Sequence, residues 1–220
     1  MVDWAEHARR QDARYTDGEA RLPDAEDQDA RQRQLTRMGN AAGGAGLARL
    51  MAGNTKDARD WFARAVARYR ESYELAPPGS WGRPIAILKA RILAGDWDGA
   101  EADARWTLEE GAAEEQSPIG RYAATLALLV LGRDQEARAL ADGLRTRDDF
   151  PAPVADALAY IAGEDTLGYI DAIEAVLESF ETREDYLEDL PAADTVVVLQ
   201  AFAARRDMAA ELSSPLLPRS

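Results

Sequence analysis

The sequence predicts an all-α protein, an array of about four antiparallel helical hairpins closed at each end by a capping helix. Three observations carry that expectation. Helix-forming Ala, Leu, Glu and Arg dominate, and apolar residues recur at helical spacing, as along Trp61, Ala65, Tyr69 and Tyr73. Strand signals are scarce: residues 195–199 are β-branched, but they run into Gln-Ala-Phe-Ala-Ala-Arg-Arg, which favours a buried helix. The third observation is a phrase that occurs four times and punctuates the helical stretches.

In chain order, residues 4–15 read as a first helix, and residues 16–27, rich in Asp and Glu with one Gly and one Pro, read as a mobile link. The domain organisation expected is therefore an N-terminal helix and link over 1–27, then a single helical-repeat domain over 28–220. The repeated phrase begins at Gly53-Asn54-Thr55-Lys56-Asp57-Ala58. It returns as Gly95-Asp96-Trp97-Asp98-Gly99-Ala100, as Gly132-Arg133-Asp134-Gln135-Glu136-Ala137, and more faintly as Gly163-Glu164-Asp165-Thr166-Leu167-Gly168. Each part has a physical task. The glycine ends one helix in a left-handed conformation, the next polar residue caps the following helix, and the small residue lets the two helices approach. Breaks at Pro77-Pro78-Gly79-Ser80, Ser117-Pro118, Phe150-Pro151 and Leu190-Pro191 separate the hairpins, and residues 192–206 form the last helix.

The four glycines bracket the period of about 34 residues that marks the tetratricopeptide repeat, whose second helix carries Ala-x-x-x-Phe. That pair stands in full as Ala58 and Phe62, then weakens to Ala100 and Ala104, Ala137 and Ala141, and Gly168 and Ala172. The chain thus resembles tetratricopeptide proteins over about residues 40–180, and the resemblance implies a right-handed superhelix.

Composition narrows the function. Forty acidic residues stand against 26 basic ones, a net charge of −14, which argues against a nucleic-acid partner. The chain has no cysteine, so disulfides, thiolate metal sites and cysteine nucleophiles are excluded. No apolar segment follows the N-terminal charges, and the longest apolar stretches, 122–131 and 195–204, fall short of the roughly 20 residues that span a bilayer. A cytoplasmic protein away from membranes is expected.

Candidate chemical sites fail one by one. His7 is the only histidine and reads as a surface residue. The glycine-rich run from Gly39 to Gly46 lacks the Gly-Lys-Ser/Thr of a phosphate loop and has no preceding strand, so close helix packing is the better reading. Carboxylates are plentiful but no pair is marked out, and no serine has a nucleophile-elbow context. No cofactor or metal is expected, and protein binding becomes the leading function.

For such binding, Trp81 in the Pro/Gly loop is the tryptophan expected to be exposed, while Trp61, Trp97 and Trp106 pack between helices. The inner face of the first helices would include Asn40, Leu47, Lys89, Tyr122, Leu126 and Tyr160. It would be filled by a partner segment or by the chain's own N-terminal helix. Charge marks a second surface. Residues 164–194 hold eleven acids against Arg183 alone, which is −10 of the net −14, and Glu184, Asp185, Glu188 and Asp189 are its densest part. A solvated face or a site for a basic partner both fit.

The C-terminal stretch runs from the helix Asp-Ala-Ile-Glu-Ala-Val-Leu-Glu-Ser-Phe through the acidic link and a last apolar helix into Glu211-Leu-Ser-Ser-Pro-Leu-Leu-Pro218. This ending resembles that of the immunity-protein-49 family, all-helical proteins encoded beside bacterial polymorphic toxins. The resemblance implies neutralisation of a cognate toxin by direct binding and transfers no catalytic residue; the acidic window adds the expectation that the toxin domain is basic. A general scaffold in a cytoplasmic complex is the alternative, followed by an enzyme with a carboxylate site between helices.

Overall fold

The computed structural model describes residues 2–218, and every regular element among them is helical. The helices are α1 Trp4–Arg21, α2 Gln28–Met51, α3 Thr55–Leu75, α4 Gly82–Ala94, α5 Trp97–Glu109, α6 Pro118–Val130, α7 Asp134–Arg145, α8 Ala152–Ala162, α9 Thr166–Glu181 and α10 Asp194–Ala204. Short 3-10 turns lie at Leu22–Asp24, Ala112–Glu114 and Leu187–Asp189. Asp3, Asp27, Asn54, Ser117 and Asp165 each cap a helix, accepting a hydrogen bond from the backbone N–H three residues on.

Within the span expected as one repeat domain, the residues divide into two compact units. Of the described residues, the first holds those up to Asp96 together with Asp185–Ala192 and 217–218; the second holds Trp97–Glu184 and Ala193–Leu216.

The first unit is organised by α2, which packs on both α1 and α3. A helix buried on several sides needs small residues where its neighbours come close, and the glycine-rich run supplies them. A Cβ at Gly39 would lie 2.7 Å from the Tyr69 ring, and one at Gly46 would lie 2.8 Å from the Phe62 ring. Close packing, as expected, is what this run does. Leu35, Met38, Phe62, Val66 and Tyr69 form the buried apolar layer of α2 and α3. A polar knot ties α4 to that pair. Arg83 donates through Nε to the Ser72 hydroxyl at 2.8 Å and through Nη2 to Gln32 and Thr36, with burial holding its pKa below the ordinary arginine value.

The mobile link expected over 16–27 is corrected here. Residues 16–21 continue α1, and the 3-10 turn follows directly, so only residues 25–27 separate these elements from α2. The physical reason is tertiary. Gly18, which reads as a helix breaker in isolation, is buried where a Cβ would sit 2.6 Å from Met38, and its carbonyl accepts from Gln34 Nε2 at 3.1 Å.

In the second unit, α6–α7 and α8–α9 pack as helical pairs, with α7 against α8 and α5 against α6. Tyr169 is fully buried, donates to Gln200 Oε1 at 2.6 Å, and has its pKa raised by burial. Gln200 in turn donates to the Ala210 carbonyl at 2.6 Å, fastening the C-terminal tail. Arg206, almost buried, reaches the Leu129 carbonyl and Asp134 and so holds the end of α10 at the α6–α7 turn.

The four repeated phrases all fall at turns, and all four turns share one hydrogen-bond pattern. The N–H of the residue after the left-handed position bonds to the carbonyl five residues back: Asn54 to Arg49, Asp96 to Arg91, Arg133 to Leu128 and Asp165 to Tyr160, each at 2.9–3.0 Å. This is the Schellman motif. Gly53, Gly95 and Gly132 take the left-handed position, with φ of 81°, 69° and 67°. In the fourth turn Gly163 is right-handed, and Glu164 takes the left-handed position with φ of 53°. Ala58, Ala100 and Ala137 are buried, as expected of their place in the phrase. The fourth phrase is shifted by one residue, so Tyr169 rather than Gly168 matches Ala137. Gly168 instead receives the Tyr160 ring, 2.6 Å from where its Cβ would be.

Candidate protein-interaction site

The segment Asp185–Ala192 belongs to the first unit and makes a tight elbow there. Its anchor is Leu190, which is buried with Ala8 and Ala48, has Trp4 packed against the same cluster, and lies over Gly44. Just before the anchor the chain folds into the 3-10 turn Leu187–Asp189, in which Leu190 N–H bonds to the Leu187 carbonyl at 3.2 Å. Glu188 and Asp189 are both left-handed, with φ of 57° and 56°. Side chains with a Cβ pay roughly 1–2 kcal/mol each for that conformation, so neighbouring contacts must hold it. Gln11 Nε2 donates to the Glu188 carbonyl at 2.9 Å, Arg14 pairs with the Glu188 carboxylate at 2.5 Å, and Arg10 approaches Asp189 at 3.8 Å.

Geometry divides the acidic residues singled out by the sequence. The Glu188 side chain is 11% exposed and spent on Arg14. Asp185 and Asp189 are exposed, and Glu184, also exposed, belongs to the second unit. Between the acids stands a residue the sequence reading missed. Leu187 is 77% exposed, matched among the large apolar side chains of the described residues by Leu167. The signal was present as a leucine inside Glu184-Asp-Tyr-Leu-Glu-Asp, but only the fold shows that Leu190 turns inward and Leu187 outward. The elbow therefore presents an apolar tip framed by carboxylates, a surface suited to a partner with a small apolar pocket ringed by cations.

The other expected binding residues lie elsewhere. Trp81, expected to be exposed, is corrected: it is 4% exposed. It immediately precedes α4, and its ring lies 6.4 Å from that of Tyr73. The Pro/Gly loop turns the chain back, and so large an apolar ring is better placed inside than in water. Lys89 is half-buried on α4. Tyr122 is half-buried, its ring 5.4 Å from Phe150 in a cluster with Leu144 and Ala155. Tyr160 is half-buried, with the Arg145 guanidinium 5.2 Å from its ring centre. Asn40 accepts from the Tyr69 hydroxyl, and Leu126 is fully buried, so neither offers a free inner face. His7 is half-buried beside the Trp4 ring, at 5.7 Å.

Among the described residues, no group of three or more His, Asp or Glu side chains is placed to hold a metal ion, and no helix is long and apolar enough to cross a membrane. No protein-family model matches the chain, and comparison with the curated proteins and with the solved structures finds no match to it.

Proposed function

We propose that this protein acts by binding another protein, most specifically as an immunity protein that neutralises a cognate toxin by direct contact. The observation that carries the reading is the elbow: Leu187 stands out into solvent between Asp185 and Asp189, on a backbone held in a costly conformation. Strain of that kind persists where the surroundings enforce it and is concentrated at functional sites. An acidic frame around an apolar anchor suits a basic toxin domain, with charge speeding encounter and the leucine slowing release. The likeness of the C-terminal stretch to the immunity-protein-49 family points the same way, and a tetratricopeptide-like superhelix is the architecture we propose for carrying the site. The four Schellman turns favour a second reading, a general repeat scaffold in a cytoplasmic complex.

Co-expression tests the first reading. The chain is expected to relieve the toxicity of a toxin encoded beside it and to bind it with an association rate that falls as salt rises. Leu187→Ser should weaken that complex about tenfold or more, since burying a leucine contributes roughly 1.5–3 kcal/mol, while leaving the circular dichroism spectrum unchanged. Absence of protection, or equal affinity for the variant, removes the elbow from the function.

A further inference from the structure

The elbow also does something inside the molecule, and this inference stands whatever the partner is. We infer that α1 is a strap that can undock from α2 and α3, with the elbow as its latch. Four observations converge on it.

First, the face that α1 buries is poor in apolar mass. Its buried residues are Ala8, Gln11, Tyr15 and Gly18, with Trp4 partly buried beside Ala8, whereas α2 and α3 bury Leu35, Met38, Phe62, Val66 and Tyr69. Elements with few buried apolar contacts open well below the free energy of global unfolding.

Second, charge holds α1 down in place of apolar burial. Asp12 pairs with Arg49 at 2.7 Å and Glu19 with Arg68 at 3.2 Å, while Arg14 and Arg10 reach Glu188 and Asp189. Pairs of this kind weaken as salt screens them.

Third, the latch is strained when closed. Glu188 and Asp189 are left-handed, and Gln11, fully buried, bonds the Glu188 carbonyl through Nε2 while its Oε1 has no hydrogen-bond partner among the described residues. An unsatisfied buried acceptor and two left-handed side-chain residues both favour release.

Fourth, α1 leads into α2 through a short 3-10 turn and residues Ala25 and Glu26, a connection that can hinge ahead of the Asp27 cap of α2. Beneath the strap lie Met38, Ala48 and Trp61: Met38 against Gly18, Ala48 with Ala8 and Leu190, and Trp61 edge-on to Tyr15 at 5.4 Å. Undocking would bare this apolar strip.

Amide exchange of the full-length chain, followed by mass spectrometry, tests the strap. In the native protein, peptides within 4–21 should exchange about tenfold or more faster than those within 28–75, and 1 M NaCl should widen the gap. Arg14→Glu should speed exchange of 4–21 about tenfold further with 28–75 unchanged, and Glu188→Arg in that background should restore it. The restoration separates a broken latch from a misfolded protein. Exchange of 4–21 and 28–75 at one common rate in every form would overturn the strap. An unchanged 4–21 in Arg14→Glu, or no recovery on adding Glu188→Arg, would overturn the latch.

Discussion

Two helical pairs of the second unit, α6–α7 and α8–α9, make the same turn with different residues. The α6–α7 turn places Gly132 in the left-handed position and follows it with Arg133, whose side chain makes no cap. The α8–α9 turn places Glu164 there and follows it with Asp165, whose carboxylate accepts from the Gly168 N–H at 3.0 Å. Downstream, the first two buried positions of α7, ahead of Leu144, are Ala137 and Ala141, and Tyr169 and Ile173 fill the matching ones of α9. One pair relies on a strain-free turn and a thin, alanine-lined contact. The other accepts a strained turn, repaired by a good cap, and packs large side chains. The comparison teaches that the turn's hydrogen bonds are the common feature, and that the glycine is one of two ways to reach them.

Substitutions at the two turns and beneath them test that contrast. The largest effect is expected at Tyr169, whose truncation to Ala should cost about 3–5 kcal/mol by leaving a cavity and removing the hydrogen bond to Gln200. Denaturant unfolding measures this, and a loss as small as that of an exposed residue would show that α9 does not depend on the ring. Gly132→Ala comes next, forcing a Cβ into a left-handed residue at a cost of roughly 1 kcal/mol. A melting midpoint equal to the native one would mean that the turn relaxes freely. Smallest and opposite in sign is Glu164→Gly, expected to stabilise the protein by roughly 0.5 kcal/mol, because relief of strain is partly offset by the freer unfolded chain. A loss of stability at that position would place the fourth turn's strength in the Glu164 side chain.

The contrast also explains which features were legible beforehand. Helical periodicity and helix formers sufficed for the fold class, since both act within a few residues of the chain. The positions of the four turns were legible too, because a C-terminal glycine followed by a polar cap is a local device. The phase of the fourth turn was not. Gly163 and Glu164 stand side by side, and the choice of left-handed residue depended on burying Tyr169 and on fitting Tyr160 against Gly168.

At the candidate site the same boundary applies. The run from Glu184 to Asp189 identified itself as the most acidic part of the chain, because charge is additive and needs no fold to be counted. Its division into a paired Glu188, exposed Asp185 and Asp189 and an outward Leu187 required α1 and α2, which lie well over a hundred residues away in the chain. Trp81 illustrates the reverse error: a tryptophan beside Pro77-Pro78-Gly79 reads as exposed until Tyr73 is seen beside it. Helix formation, the sites of turns and net charge are near-neighbour properties and can be read from composition and spacing. Burial and the partner of each charge are set by which distant segments meet, and that is decided only when the chain closes on itself.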